Sequence, residues 1–211
     1  MLALIDNDVL FKGSCYGLLR DLLAEVSQRA GVLAASRFVL PKKISKSNLR
    51  GDRSAVLQRL NEFLEKSEAL EPTLEEQEMA ADLEVSALRL GLALDVGESQ
   101  LSTILVKRLV PLLLTGDKRA VVAIDRLLDQ DARLLPICGK VRCLEQIFAA
   151  AIAGENGNSV RAAVCSEPDI DIALTICFSC RSESVSKESH SEGLHSYIEA
   201  LRRDATRVLA K

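Results

Sequence analysis

Two short apolar runs in this chain each lead into an aspartate. Leu2-Ala3-Leu4-Ile5 is followed by Asp6-Asn7-Asp8, and Leu109-Val110-Pro111-Leu112-Leu113-Leu114 is followed by Thr115-Gly116-Asp117-Lys118. Unbroken apolar runs of this length, closed by turn-forming residues, mark strands buried on both faces, as in parallel sheets. Each run precedes a helical pattern, so the chain is expected to be built from βα units. Open α/β sheets bind ligands in the crevice outside the carboxyl ends of their strands. If the two strands are neighbours, Asp6 and Asp117 meet there. Gathered carboxylates repel one another unless a cation or a shared proton relieves them, and a divalent metal is the natural partner.

The remainder of the chain must cover such a sheet. Hydrophobic residues make up 48% of the 211 and aromatic residues only 3%, so the core is expected to be Leu, Val, Ile and Ala. The length suits one domain with an appended subdomain. With no Trp and two Tyr, the composition does not suit recognition of bases by aromatic stacking. The net charge of −3 gives no overall attraction for polyanions. The charge is uneven, however. Arg37, Lys42, Lys43, Lys46, Arg50 and Arg53 stand against Asp52 alone, and the acid-rich stretch from Glu62 to Glu84 has only Lys66 as a base. Two readings stand for this pattern: a basic loop that steers a polyanion, or two solvated faces.

The six cysteines come without a basic leader or a long apolar span, which predicts a cytoplasmic protein whose cysteines are thiols, with no membrane partner. Apolar spacing predicts a helix over Tyr16–Arg29 ended by Gly31, a second strand over Val32–Leu40 closed by Pro41, and a basic loop after it. Helices are expected over Ser54–Leu70, from Thr73 (a capping box with Glu76), from Glu98 to Arg108 and over Lys118–Leu128. A short strand over Arg133–Cys138 and a helix over Val141–Ala153 complete the first domain. The turn-rich stretch 154–159 marks a soft boundary. Beyond it, a helix over Val160–Cys180 broken near Pro168, a polar mobile loop over Ser182–Glu192 and a helix over Leu194–Leu209 are expected. The fold class is therefore α/β, with a core domain over 1–153 and a helical extension over 154–211 packed on it.

Three acidic positions recur in a useful order: Asp6 after the first strand, Glu98 at a helix start and Asp117 after a later strand. The segments Leu4-Ile5-Asp6-Asn7-Asp8-Val9-Leu10, Gly97-Glu98-Ser99 and Thr115-Gly116-Asp117-Lys118-Arg119 together resemble the PIN-like nuclease fold. The resemblance runs from about Met1 to Ala153. It implies a three-layer α/β/α architecture around a central parallel sheet, and metal-dependent cleavage of single-stranded RNA, with Mg²⁺ or Mn²⁺ held by Asp6, Glu98 and Asp117 as the catalytic set. Asp8, Thr115 and Lys118 would be auxiliary, and Lys42, Lys43, Lys46 and Arg50 would hold the nucleic-acid backbone. Family members often act as toxins of toxin–antitoxin pairs, so an antitoxin, another protein partner or a second copy of the chain is an expected associate. The pattern departs from the family at one place: Val39-Leu40-Pro41-Lys42-Lys43 carries lysines where active members usually have an acid after the second strand, with only Asp52, Glu75 and Glu76 as distant substitutes. The alternative is a non-catalytic PIN-like interaction module with a degenerate acidic site. A plain capping role for Asp6 and Asp117 is a third reading.

Cys177, Cys180, His190 and His195 have a loosely zinc-like arrangement, but the stretch Ala173 to Phe178 also reads as a buried helix in which cysteine serves as a small apolar residue. Cys138 and Cys143 read as thiols with no histidine to activate them.

Overall fold

The first apolar run, Leu2–Ile5 (β1), lies at the centre of a five-stranded, all-parallel sheet in a computed structural model that describes residues 2–24, 29–153, 157–182 and 187–211. The other strands are Arg29–Leu33 (β2), Glu68–Leu70 (β3), Leu112–Thr115 (β4) and Val141–Cys143 (β5), in the order β3-β2-β1-β4-β5. Successive strand side chains point to opposite faces. Ala3, Ile5, Leu112 and Leu114 accordingly enter one core, while Leu4, Leu113, Val141 and Cys143 enter another. The first core is covered by Asn7–Tyr16 (α1), Leu19–Ala24 (α2), Ser36–Lys46 (α3), Arg53–Lys66 (α4) and Leu144–Ala153 (α8). The second is covered by Leu74–Arg89 (α5), Val96–Arg108 (α6) and Lys118–Leu127 (α7). The chain is thus an α/β protein with helices on both faces of a parallel sheet.

Beyond residue 156, Gly157–Ser166 (α9) and Ile172–Cys177 (α10) add Val160, Val164, Leu174 and Phe178 to the first core. Lys187–Asp204 (α11) gives Leu194 to the first core and Ile198 and Leu201 to the second. The last residues then run beside β5. Val141 N–H donates to Val208 C=O at 3.0 Å and Ala210 N–H donates to Val141 C=O at 2.7 Å, which covers an otherwise bare sheet edge.

Several sequence expectations are corrected. The run Val32–Leu40 is not one strand: β2 ends at Leu33 and α3 begins at Ser36, with Pro41 inside it. Leu40 and Ile44, four residues apart, are both fully buried, and this anchoring outweighs the backbone bond that Pro41 removes. The basic loop is therefore largely helix. Gly31 lies within β2 rather than ending a helix, and a Cβ there would stand 2.9 Å from Leu70 Cδ1 and 3.2 Å from Leu4 Cδ2, so a larger residue would push these two leucine side chains aside. The expected helix Tyr16–Arg29 is instead the end of α1, a left-handed Gly17 and α2; its Val26 lies outside the described residues. Glu68–Leu70 leaves the preceding helix to become β3. Ala132–Ile137 forms a 3-10 helix, and the final strand is Val141–Cys143. Of the expected mobile loop, 187–192 belong to α11 and 183–186 lie outside the described residues, as do 154–156 at the expected boundary. Helix α11 stops at Asp204, short of Leu209.

Cys165 and Cys180 form a disulfide, so these two are not thiols; Cys15, Cys138, Cys143 and Cys177 are free. Among the described residues no helix is long and apolar enough to cross a membrane.

Candidate functional site

Strand order reverses direction between β1 and β4, because the chain leaves β1 toward β2 and β3 and leaves β4 toward β5. Such a switch point opens a crevice at the carboxyl ends of the two strands. Ile5 is opposite Leu114 in the register, and Asp6 N–H donates to Leu114 C=O at 2.9 Å, which brings Asp6 level with Thr115. A crevice of about 640 Å³ opens there, bordered by Asp6, Asn7, Asp8, Asp95, Glu98 and Asp117, with Lys12, Lys43, Lys118 and Arg119 among them.

Asp6 caps α1, accepting from the N–H groups of Asn7 at 2.6 Å and Asp8 at 3.3 Å. Thr115 Oγ1 donates to Asp6 Oδ2 at 3.4 Å and accepts from Asp117 N–H at 3.2 Å, so one hydroxyl ties the two strand-end acids together. Asp117 caps α7 and is gripped by its neighbour, with Arg119 N–H at 2.8 Å from Oδ1 and the guanidinium at 2.7 Å from Oδ2. Glu98 stands at the start of α6 and accepts from Asp95 N–H at 2.9 Å. Asp8 is held by Lys12 at 2.5 Å and Lys43 at 3.6 Å, and its carboxylate occupies the space beside Gly116, where a Cβ would stand 2.2 Å from Oδ2. Lys12 is held in turn by Asp171, at 2.6 Å, and Lys43 lies over the Phe11 ring.

The acids are not electrically alike. Burial, and after it repulsion from Asp8, raises the Asp6 carboxyl to about 6. Burial, and then repulsion from Asp6, Asp95 and Asp117, raises Glu98 to about 7. For Asp117 burial pushes the same way, but the bonds from Arg119 outweigh it and the net direction is down.

The crevice therefore gathers Asp6, Asp8, Glu98 and Asp117 beside Thr115. It does not gather all the expected basic residues. Lys43 borders it. Lys42 and Lys46 are on α3 away from its lining, and Arg50 pairs with Asp169 at 2.8 Å. Lys118 borders it too, but its ammonium is committed to the buried Glu145 at 2.5 Å and lies over the Tyr197 ring. The suggested substitutes for the missing acid lie elsewhere: Asp52 caps α4, Glu75 pairs with Lys107, and Glu76 pairs with Arg108. Because β2 ends at Leu33, the residues after it are Ala34, Ala35 and Ser36, which are also without an acid. Sequence reasoning missed Asp95, Lys12 and Asn7. Asp95 was legible as the partner of Glu98 in an Asp-x-x-Glu cap, whereas no local signal marked Lys12.

The donor chemistry suits a hard divalent cation. Oxygen ligands stand on strand ends and a helix start, and two of the carboxyls are raised by burial and by neighbouring carboxylates. Asn7 Oδ1 is buried at the crevice with no hydrogen-bond partner among the described residues. Among those residues, however, no group of three or more His, Cys, Asp or Glu is already arranged to hold a metal. The carboxylates turn instead to Lys12, Lys43, Arg119 and the backbone. The zinc-like set does not assemble either, since Cys180 is in the disulfide and His195 Nδ1 lies 2.7 Å from Ser191 C=O. Comparison of the chain with protein-family models, with characterised proteins and with solved structures returned no significant match.

Proposed function

We propose that the chain is a PIN-like α/β hydrolase that cleaves phosphodiester bonds of single-stranded RNA, using Mg²⁺ or Mn²⁺ held by Asp6, Glu98 and Asp117. The observation that carries the reading is the pair of buried carboxyls, Asp6 and Glu98, both raised, at an open crevice on the switch point. A protein that needed these acids only as caps gains nothing from facing them together. A bound cation supplies Lewis acidity and a counter-charge for phosphate oxygens. Thr115 holds Asp6 and Asp117 in a fixed relation. Lys12 and Lys43, beside Asp8, bring positive charge to the acidic crevice and favour the approach of a polyanion.

A non-catalytic interaction module is the second reading. It is favoured by the internal cations that Asp8 and Asp117 already have, and by the absence of an acid after β2. The two separate on a calorimetric Mn²⁺ titration at pH 8 run beside cleavage of a labelled single-stranded RNA. The hydrolase takes up Mn²⁺ and cuts, and Asp117→Asn abolishes cutting with the far-UV spectrum unchanged, because the exchange removes an anionic ligand at nearly constant volume. No heat of binding and no cutting by the unaltered protein would leave the module.

A further inference from the structure

Six of the seven aromatic side chains are buried or partly buried; Phe38 is 72% exposed. Exposed apolar side chains are ordinary, and Leu74, Leu88 and Ile172 are at least as bare; what distinguishes Phe38 is its position. Phe38 stands in the first turn of α3, five residues past the end of β2 and therefore near the edge of the sheet that carries the crevice. The next residue, Val39, is 48% exposed and borders the crevice itself. Helical spacing of four puts Lys42 and Lys46 in a row with Phe38, and puts Lys43 in a row with Val39. Lys42 and Lys46 are exposed, and Lys43 reaches Asp8. On the α6 side of the crevice Val96, beside the crevice-lining Gly97, is 56% exposed. One helix face thus offers a bare ring and a line of ammonium groups leading away from an acidic crevice.

Against the expectation from the aromatic-poor composition, we infer that this one exposed ring, Phe38, is a stacking platform for a base of a single-stranded nucleic acid flanking the bond in the crevice, with Lys42 and Lys46 on the phosphates that follow. The inference rests on the reading of the crevice as a phosphodiester site and adds the element that holds the strand. Charge decides the occupant. An apolar patch on a basic helix fits a chain of alternating flat rings and anionic groups, and stacking on an aromatic ring tolerates any base. Lys42 and Lys46 add attraction without sequence choice. The expected specificity is therefore for single strands over duplex, whose bases are not free to stack.

The chain has no Trp, so Phe38→Trp supplies a single fluorophore at the site. The full-length protein is titrated with a single-stranded oligonucleotide, with an abasic strand of equal length, and with the corresponding duplex, in EDTA and again with Mg²⁺. Quenching of the introduced indole by the base-bearing single strand, and not by the abasic strand, is expected. Phe38→Ala should bind that strand about tenfold more weakly with an unchanged melting temperature, since the side chain is exposed. Equal affinity of Phe38→Ala and the unaltered protein, equal quenching by the abasic strand, or no binding by the unaltered protein overturns the inference. So does a Phe38→Ala phenotype confined to self-association or to a protein partner. Base-dependent quenching without cutting in Mn²⁺ leaves the platform standing and removes the hydrolase reading. Cutting with unchanged Phe38→Ala affinity removes the platform alone.

Discussion

Glu76 and Glu98 begin from the same local rule and end in opposite states. Each is three residues into the N-terminal cap of a helix, α5 or α6, and each accepts from the N–H of its capping residue, Thr73 at 2.8 Å and Asp95 at 2.9 Å. Both are buried, Glu76 at 2% exposure and Glu98 at 9%. Glu76 accepts from Nε–H and Nη2–H of Arg108, each at 2.7 Å, and this pairing holds its carboxyl below the usual range. Glu98 has no such partner among the described residues and faces Asp6, Asp95 and Asp117, so burial and repulsion push it up to about 7. The capping box builds the helix start in both places. The opposing helix decides whether the acid is locked into the structure or left to be answered by something from outside.

The sharpest way to break the comparison is to neutralise each acid in turn. Glu98→Gln should lower metal-dependent cutting about a thousandfold, since a charged ligand is worth several kcal/mol at about 1.36 kcal/mol per decade. It should leave the melting temperature of the metal-free protein equal or higher, because Gln keeps an acceptor for the cap while removing repulsion. Glu76→Gln should do the reverse, costing about 1–3 kcal/mol of stability through the lost charge-assisted bonds to Arg108 while cutting is unaffected. Denaturant melts and one cleavage assay read both. Equal destabilisation by the two variants would erase the distinction.

Titration sharpens it next. Asp6 and Glu98 are raised from 3.8 to about 6 and from 4.5 to about 7. Over those intervals the folded chain holds more protons than the unfolded chain. Their stabilising contribution is therefore fully present below about pH 4 and is lost as pH rises through 6 and 7. Glu76 and Asp117, both lowered, act in the other direction: their contribution is present above the ordinary carboxylate range and is lost as acid is added. The metal-free protein should thus lose about 4 kcal/mol from the crevice pair between about pH 5 and pH 8. The buried His190, whose value is lowered, adds an opposite slope below its ordinary 6.5. The difference between the unaltered protein and an Asp6→Asn/Glu98→Gln double variant isolates the crevice pair, and identical pH profiles would show that the two acids are not raised.

The smallest effect is expected at Gly116. An added Cβ would displace the Asp8 carboxylate, 2.2 Å away, from its place between Lys12 and Lys43. Gly116→Ala should cost about 1 kcal/mol of stability, read as a small drop in melting temperature, and should leave the Glu76–Arg108 side of the molecule unchanged. A melting temperature that does not move would mean that Asp8 has room the geometry does not give it.

The sequence by itself determined the parts that local chemistry specifies completely. The runs ending at Ile5 and Leu114 are too apolar to be anything but doubly buried, so β1 and β4 were legible, as were the caps that follow them at Asp6 and Asp117. The Thr73–Glu76 box and the helix start at Glu98 are also local. Tertiary structure decided what short or ambiguous segments became. Strands β3 and β5 are three residues long, too short for a periodic signal, and exist through pairing with β2 and β4. Val32–Leu40 carries apolar residues that satisfy either a strand or a helix, and the burial of Leu40 and Ile44 in the first core divides it. The meeting of Lys12 with Asp171, far apart in the chain, has no trace in either neighbourhood. Nor does the contrast between Glu76 and Glu98, because a carboxyl's charge state depends on what faces it across the fold, and only the packing of α6 against α5 and against the ends of β1 and β4 sets that.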